Sequence, residues 1–205
     1  MTNIYKLGID VGSTTVKMVV TDKNNEIKFF KYIRHYSDIT KASLTLFSQI
    51  KETLGNCTIS VCVTGSGGLL LSKILDLDFV QEVIATKKAV EVYLPNTDVV
   101  IELGGEDAKI LYLNGGQEQR MNGTCAGGTG SFIDQMSLLL KTDAEGLNIL
   151  AKNHKNIYPI AARCGVFAKS DVQPLLNEGI SREDIAASIF QAVVTQTISG
   201  LAQGR

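Results

Sequence analysis

A chain of 205 residues, 44% of them hydrophobic and with a formal net charge of −1, has the makings of one large packed domain or two smaller lobes. The charge balance excludes bulk electrostatic attraction to nucleic acid or to an anionic membrane. The apolar runs are short of a bilayer span, and the start, Met1 to Leu7, carries no basic-then-apolar leader pattern, so a cytoplasmic location is expected.

In chain order, Ile4 to Asp10 reads as a buried strand and Val11 to Thr15 as a turn. Val16 to Thr21 and Ile27 to Ile33 follow as β-branched strands joined by a turn at Asn24-Asn25. Asp38 to Leu54 has helical spacing, with Ile39, Ala42, Leu46, Ile50 and Leu54 on one face and Asp38 as N-cap. Thr58 to Thr64 is a fourth strand, closed by Gly65-Ser66-Gly67-Gly68, and helices are expected over 69–75 and 82–94. Pro95-Asn96 ends this unit, giving expected lobes of 1–95 and 96–205. The second begins with strands over 98–102, 108–113 and 117–121, turned at Gly104-Gly105 and Asn114-Gly115-Gly116. Helices are expected over 128–140, 144–153, 170–177 and 181–203, the last with Ile185, Ile189, Ala192, Val193, Ile198 and Leu201 facing inward.

The cysteines are Cys57, Cys62, Cys125 and Cys164, with no C-x-x-C pair, which argues against a disulfide framework. Cys57 and Cys62 read as small core hydrophobes beside a strand. Cys125 and Cys164 each sit in a glycine-containing turn ahead of a helical segment. The stretch Asn122-Gly123-Thr124-Cys125-Ala126-Gly127-Gly128-Thr129-Gly130-Ser131 is the richest of these. Its glycines let backbone approach a ligand, and the helix start that follows favours a phosphate, a thiolate or a thiolate-held cluster. The competing reading is a structural turn around a buried thiol. Both histidines, His35 and His154, stand in polar surroundings and are expected at the surface.

The sequence echoes itself. Ile9-Asp10-Val11-Gly12-Ser13 with Val16-Lys17 matches Ile101-Glu102-Leu103-Gly104-Gly105 with Ala108-Lys109. In each copy an acid ends a buried strand, a glycine follows two positions on and a lysine seven on, as expected of a duplicated unit. A carboxylate at a strand end beside a glycine turn suits Mg²⁺, and the turn's N–H and hydroxyl groups suit phosphate oxygens. Neither G-x-x-x-x-G-K-[ST] nor G-x-G-x-x-G occurs, so the turn is not a P-loop and a dinucleotide site is not supported.

Asp10-Val11-Gly12-Ser13-Thr14-Thr15 and Glu102-Leu103-Gly104-Gly105 resemble the two phosphate motifs of the ATPase superfamily of actin, heat-shock chaperones and sugar kinases. More narrowly, Leu7 to Lys17, Ile101 to Lys109, Met121 to Gly130 and Ala162 to Ser170 resemble the activators of 2-hydroxyacyl-CoA dehydratases, grouped with the ATPase subunits of benzoyl-CoA reductases. That resemblance implies an α/β fold of two ribonuclease-H-like lobes, each a mixed sheet flanked by helices. ATP or ADP with Mg²⁺ binds between them, and a [4Fe–4S] cluster bridges a homodimer. It implies catalytic roles for Asp10 and Glu102, with Asp10 holding Mg²⁺. It implies nucleotide contacts from Gly12, Ser13, Thr14, Thr15, Lys17, Gly104, Gly105, Gly128, Thr129 and Gly130. Cys125 and Cys164 would be the cluster ligands, two per chain making four in a symmetric dimer; Arg163, next to Cys164 in the sequence, reads equally as added positive charge there or as a surface ion-pair residue. The implied job is ATP-driven transfer of one electron, received from a ferredoxin or flavodoxin, to a dehydratase or CoA-ester reductase component. The family's second lobe continues further, with a late glycine pair for adenosine that is absent here, and the wording resembles its large fused form. An N-terminal fragment, with the partner region in the same polypeptide and reduced ATP hydrolysis of its own, is therefore expected. Two other readings stay open: a small-molecule kinase using Asp107 or Asp134 as base, and a nucleotide-switched binding module that needs neither cysteine.

Overall fold

The computed structural model describes residues 4–114, 118–122, 127–161 and 164–203. The chain forms two compact units, Met1–Thr97 and Asp98–Arg205.

The first unit is a mixed sheet of five strands in the order β3-β2-β1-β4-β5. β1 (Ile4–Val11), β2 (Thr15–Thr21) and β3 (Ile27–Arg34) form an antiparallel meander, while β4 (Thr58–Thr64) and the short β5 (Asp78–Phe79) run parallel to β1. This order and orientation is that of a ribonuclease-H-like lobe. Because strand side chains alternate, Leu7, Ile9 and Val11 of β1 and Val16, Met18 and Val20 of β2 share one face. They pack on Ala42, Leu46 and Ile50 of α1 (Ile39–Leu54). α1 starts where the sequence placed its cap: Asp38 Oδ1 accepts the Lys41 N–H at 2.9 Å. α2 (Gly68–Leu75) and α3 (Glu82–Tyr93) complete the unit.

The second unit opens with a second antiparallel meander, β6 (Val99–Leu103), β7 (Ala108–Tyr112) and β8 (Glu118–Met121). Four helices follow: α4 (Gly130–Leu139), α5 (Ala144–Ala151), α6 (Gly165–Asn177) and α7 (Arg182–Thr197). Phe132 and Met136 of α4, Leu147 of α5, Val172 of α6 and Ile185 and Ile189 of α7 form their shared core. Leu201 packs separately on Ala108, Ile110 and Tyr112. Arg120 of β8 donates to the carbonyls of Leu201 and Ala202 at 3.2 and 2.7 Å, giving the end of the last helix the cationic donor its unpaired carbonyls favour.

Several expectations are corrected. The last helix does not stay α-helical: residues Ile198–Ala202 form a π-turn, and Gln203 N–H donates to Ile198 O at 3.2 Å. That change of winding rotates Ile198 outward, 59% exposed, while Leu201 stays buried. α6 begins five residues earlier than the expected Ser170, at Gly165. Cys57 and Cys62 are half-buried rather than core. The stretch Arg182–Ala202 does have the length and composition of a membrane span, but half of it is buried in the second unit, where it supplies the core residues above.

Candidate functional site

The sequence echo is a structural one. In the first hairpin Asp10 pairs with Lys17 and Val11 with Val16, and the Gly12 N–H closes the turn on Thr15 O at 2.9 Å. In the second, Glu102 pairs with Lys109 and Leu103 with Ala108, and the Gly104 N–H closes on Asp107 O at 2.8 Å. The seven-residue spacing from acid to lysine is thus the register of a four-residue turn, and each lysine lies directly across from its acid. A Cβ on Gly104 would stand 2.8 Å from Asp107 O, so this tight turn requires glycine.

Each turn is backed by a second glycine segment. Beneath the first, Gly67 N–H donates to Val11 O at 2.8 Å. Gly65 has φ +95, and a Cβ there would lie 2.3 Å from Val11 O and 2.5 Å from Asp10 Oδ1; no residue with a side chain fits. Against the second, the start of α4 docks: Gly130 N–H donates to Gly104 O at 2.8 Å and Ser131 N–H to Gly105 O at 2.9 Å. Gly128 takes φ +76 and Thr129 is fully buried. The structure therefore brings Gly104, Gly105, Thr129 and Gly130 together, and it gathers Asp10, Gly12, Ser13, Thr14, Thr15 and Lys17 at the other turn. Sequence reasoning took Gly65 to Gly68 only as the end of a strand. The signal it missed was a glycine cluster following directly on the strand that pairs with β1.

The acids differ in their surroundings. Asp10 Oδ2 takes an ion pair from Lys17 Nζ at 2.6 Å. Its Oδ1 is buried and has no hydrogen-bond partner among the described residues. A buried carboxylate oxygen left unpaired is costly unless a cation or water meets it, so Asp10 fits the Mg²⁺ expected there. Lys109 is buried, with Nζ 3.7 Å from Glu102 and 3.9 Å from Asp107; it is not an outward-facing strand lysine. Asp107 lies in the second turn, and Asp134 lies on α4.

His35 is not a surface residue. It is 8% exposed. Its Nδ1 accepts the Ser37 N–H at 3.1 Å, which assigns the proton to Nε2, 3.2 Å from Gly12 O. Its own N–H donates to Thr14 O at 3.1 Å. The residue after β3 therefore straps the first turn from below. Two polar neighbours in the sequence disguised it.

Cys125 and Arg163 lie outside the described residues. Cys164 is a free, half-buried thiol at the N-cap of α6. Exposed Val166 and Phe167 adjoin it. Among the described residues no group of three or more His, Cys, Asp or Glu side chains converges on a metal-sized space. Cys164 alone suits one corner of a thiolate-held cluster and needs further thiolates to complete it.

The chain is similar to known proteins in sequence and in fold. The chain is 34% identical over 202 residues to the 2-hydroxyisocaproyl-CoA dehydratase activator of Clostridioides difficile, covering 96% of this chain and 75% of that one. It is 31% identical to the (R)-2-hydroxyglutaryl-CoA dehydratase activating ATPase of Acidaminococcus fermentans, covering 98% and 78%. The crystal structure of the Acidaminococcus fermentans (R)-2-hydroxyglutaryl-CoA dehydratase component A superimposes with a TM-score of 0.87 at 29% identity, over 98% of this chain and 79% of that one. The activator of the 2-hydroxyisocaproyl-CoA dehydratase from Clostridium difficile with bound ADPNP matches equally well, TM-score 0.87 at 32% identity, over 95% and 74%. The fold is that of the actin-like ATPases. Residues 7–204 match the BadF/BadG/BcrA/BcrD ATPase family, and the chain belongs to that family.

Proposed function

We propose that this protein is an ATP-driven activator that delivers one electron to a 2-hydroxyacyl-CoA dehydratase or a related CoA-ester reductase component. The observation that carries the reading is the recurrence, once per unit, of a strand-end acid paired with a lysine across a glycine-closed turn. Relatives at about this identity are named as dehydratase activators, one of them solved with ADPNP.

In this reading the turns Gly12 to Thr15 and Gly104-Gly105, with Lys17 and the segment Gly128 to Gly130, hold the phosphates of ATP. Asp10 would hold hydrated Mg²⁺, its unpartnered Oδ1 accepting from one of the ion's waters. Glu102 accepts a proton from the water that attacks the terminal phosphate, so that ATP and water give ADP and phosphate. Cys125 and Cys164 of two copies supply four thiolates to a [4Fe–4S] cluster, which provides one-electron chemistry when bound. Thr129 stands four residues from Cys125 in sequence, so a phosphate contact at Thr129 biases the segment carrying that thiolate. A reduced ferredoxin or flavodoxin supplies the electron in the cytoplasm. The dehydratase component accepts it, either as a separate chain or within the same polypeptide.

The test is iron and acid-labile sulfide per dimer after anaerobic reconstitution, with Cys125→Ser and Cys164→Ser in parallel. About four irons per dimer, lost in either variant, is the expected result. Protein that takes up no iron, or variants that keep it, would sink the electron-transfer reading and leave an ATPase of another purpose.

A further inference from the structure

Asp10 is flanked by two strands and uses one carboxylate oxygen toward each. Toward β2, Oδ2 is held by Lys17 at 2.6 Å. Toward β4, Oδ1 leans to where a Cβ on Gly65 would stand, 2.5 Å away. The residue of β4 in register with Asp10 is Thr64. Paired residues of parallel strands present their side chains on the same face of the sheet. Thr64 Oγ1 is also buried, and it too lacks a hydrogen-bond partner among the described residues. Two unsatisfied buried polar atoms on adjacent strands, at register-matched positions and at one end of the sheet, are rare in a folded protein. The glycine after Thr64 has just enough room for its own backbone, so neither atom finds a partner by a small local shift on that side.

We infer that Thr64 is a positioning residue of the cation site: its hydroxyl and Asp10 Oδ1 jointly hold one water of a divalent cation's hydration shell. The inference rests on the nucleotide-binding reading above. A hydroxyl serves here because it both donates and accepts. Its lone pair accepts one proton of the metal-bound water, while the carboxylate accepts the water's other proton. Mg²⁺ keeps several of its waters and takes few direct protein ligands, and side chains that orient such outer ligands typically govern affinity by about 10- to 100-fold.

The test compares wild type, Thr64→Val and Thr64→Ser for Mn²⁺ affinity in the presence of ADP, read by electron paramagnetic resonance of free Mn²⁺. ADP affinity in metal-free buffer and the metal-free Tm are measured alongside. The inference expects Thr64→Val to lose about tenfold in Mn²⁺ affinity, with metal-free ADP affinity unchanged and Thr64→Ser close to wild type. It also expects the metal-free Tm of Thr64→Val to rise by about 2–4 °C, since an unpaired buried hydroxyl has been removed. A merely structural threonine would give a lower Tm and no change in Mn²⁺ affinity, and that result overturns the inference. Wild-type Mn²⁺ affinity in a folded Thr64→Val overturns it as well, while leaving the nucleotide reading intact. Failure of wild type to bind ADP in any buffer overturns both. Should Thr64→Val not fold, wild-type Mn²⁺ affinity in Thr64→Ala overturns the inference, and a tenfold loss there upholds it.

Discussion

His35 shows how a single proton location shapes a turn. With Nδ1 accepting from Ser37 and Nε2 facing Gly12 O, the ring fixes the backbone oxygen of the residue that opens the first turn. A glutamine keeps a donor near the Nε2 position, whereas a phenylalanine keeps only the bulk. His35→Phe leaves the part-buried Gly12 carbonyl and Ser37 N–H short of a partner, a loss of about 1 kcal/mol. It should weaken ADP binding about tenfold by isothermal titration, with His35→Gln recovering most of it; equal binding by all three proteins would remove His35 from the site. None of this was legible in the sequence, because the contact joins residues 23 apart and no local pattern marks it. Asp184 gives a second residue-scale expectation. The Lys155 and Asn156 N–H groups donate to its Oδ1, and they lower its pKa from the ordinary 3.8 to about 2. A lowered folded value means that the contribution to stability is complete above the unfolded pKa. It is lost as pH falls from about 4 toward about 2. Tm measured across that window should fall steeply in wild type and more shallowly in Asp184→Asn, which starts from a lower Tm; parallel curves would refute the assignment.

At the scale of elements, the glycine after β4 is the sharpest expectation. Gly65→Ala must place a Cβ 2.3 Å from Val11 O at φ +95, so backbone has to move as well as strain. Gly55 also has a positive φ, +67, but opens onto empty space. In urea unfolding Gly55→Ala should cost about 1 kcal/mol and Gly65→Ala at least twice that. Only the latter should also lose ADP binding. Comparable costs would mean that the close approach is not constraining. The elements that periodicity revealed are those whose pairing is local. β1 to β3 and β6 to β8 are meanders, and α1 carries its own cap and apolar stripe. What it did not reveal depends on distant partners. β5 is two residues that count as a strand only because Cys62 and Val63 pair with them. The first turn of α6 exposes Val166 and Phe167, so no buried stripe announces it. The winding change at Ile198 leaves composition untouched and rotates the face by itself.

For the whole molecule, the sheet-and-helix core of the first unit and the helical core of the second share no residue: Ile50 belongs to the former and Ile189 to the latter. Ile50→Val and Ile189→Val should each cost about 0.5–1.5 kcal/mol and combine additively to within about 0.5 kcal/mol in the double variant. A larger coupling, seen by denaturant titration of all four proteins, would show that the cores respond to one another. The candidate site was legible at this scale to the extent that it is written twice. Acid, glycine and lysine recur at fixed offsets, and those offsets turned out to be hairpin register. The charge surroundings were not legible, because register says who stands opposite and not who else crowds in. The two hairpins differ there. Lys17 meets Asp10 at 2.6 Å in half-exposed surroundings, whereas buried Lys109 is shared between Glu102 and Asp107. The two hairpins thus share a backbone register and differ in their electrostatics. The two turns are not interchangeable, and grafting the Gly12-to-Thr15 turn into the second position would remove the Asp107 carboxylate beside Lys109.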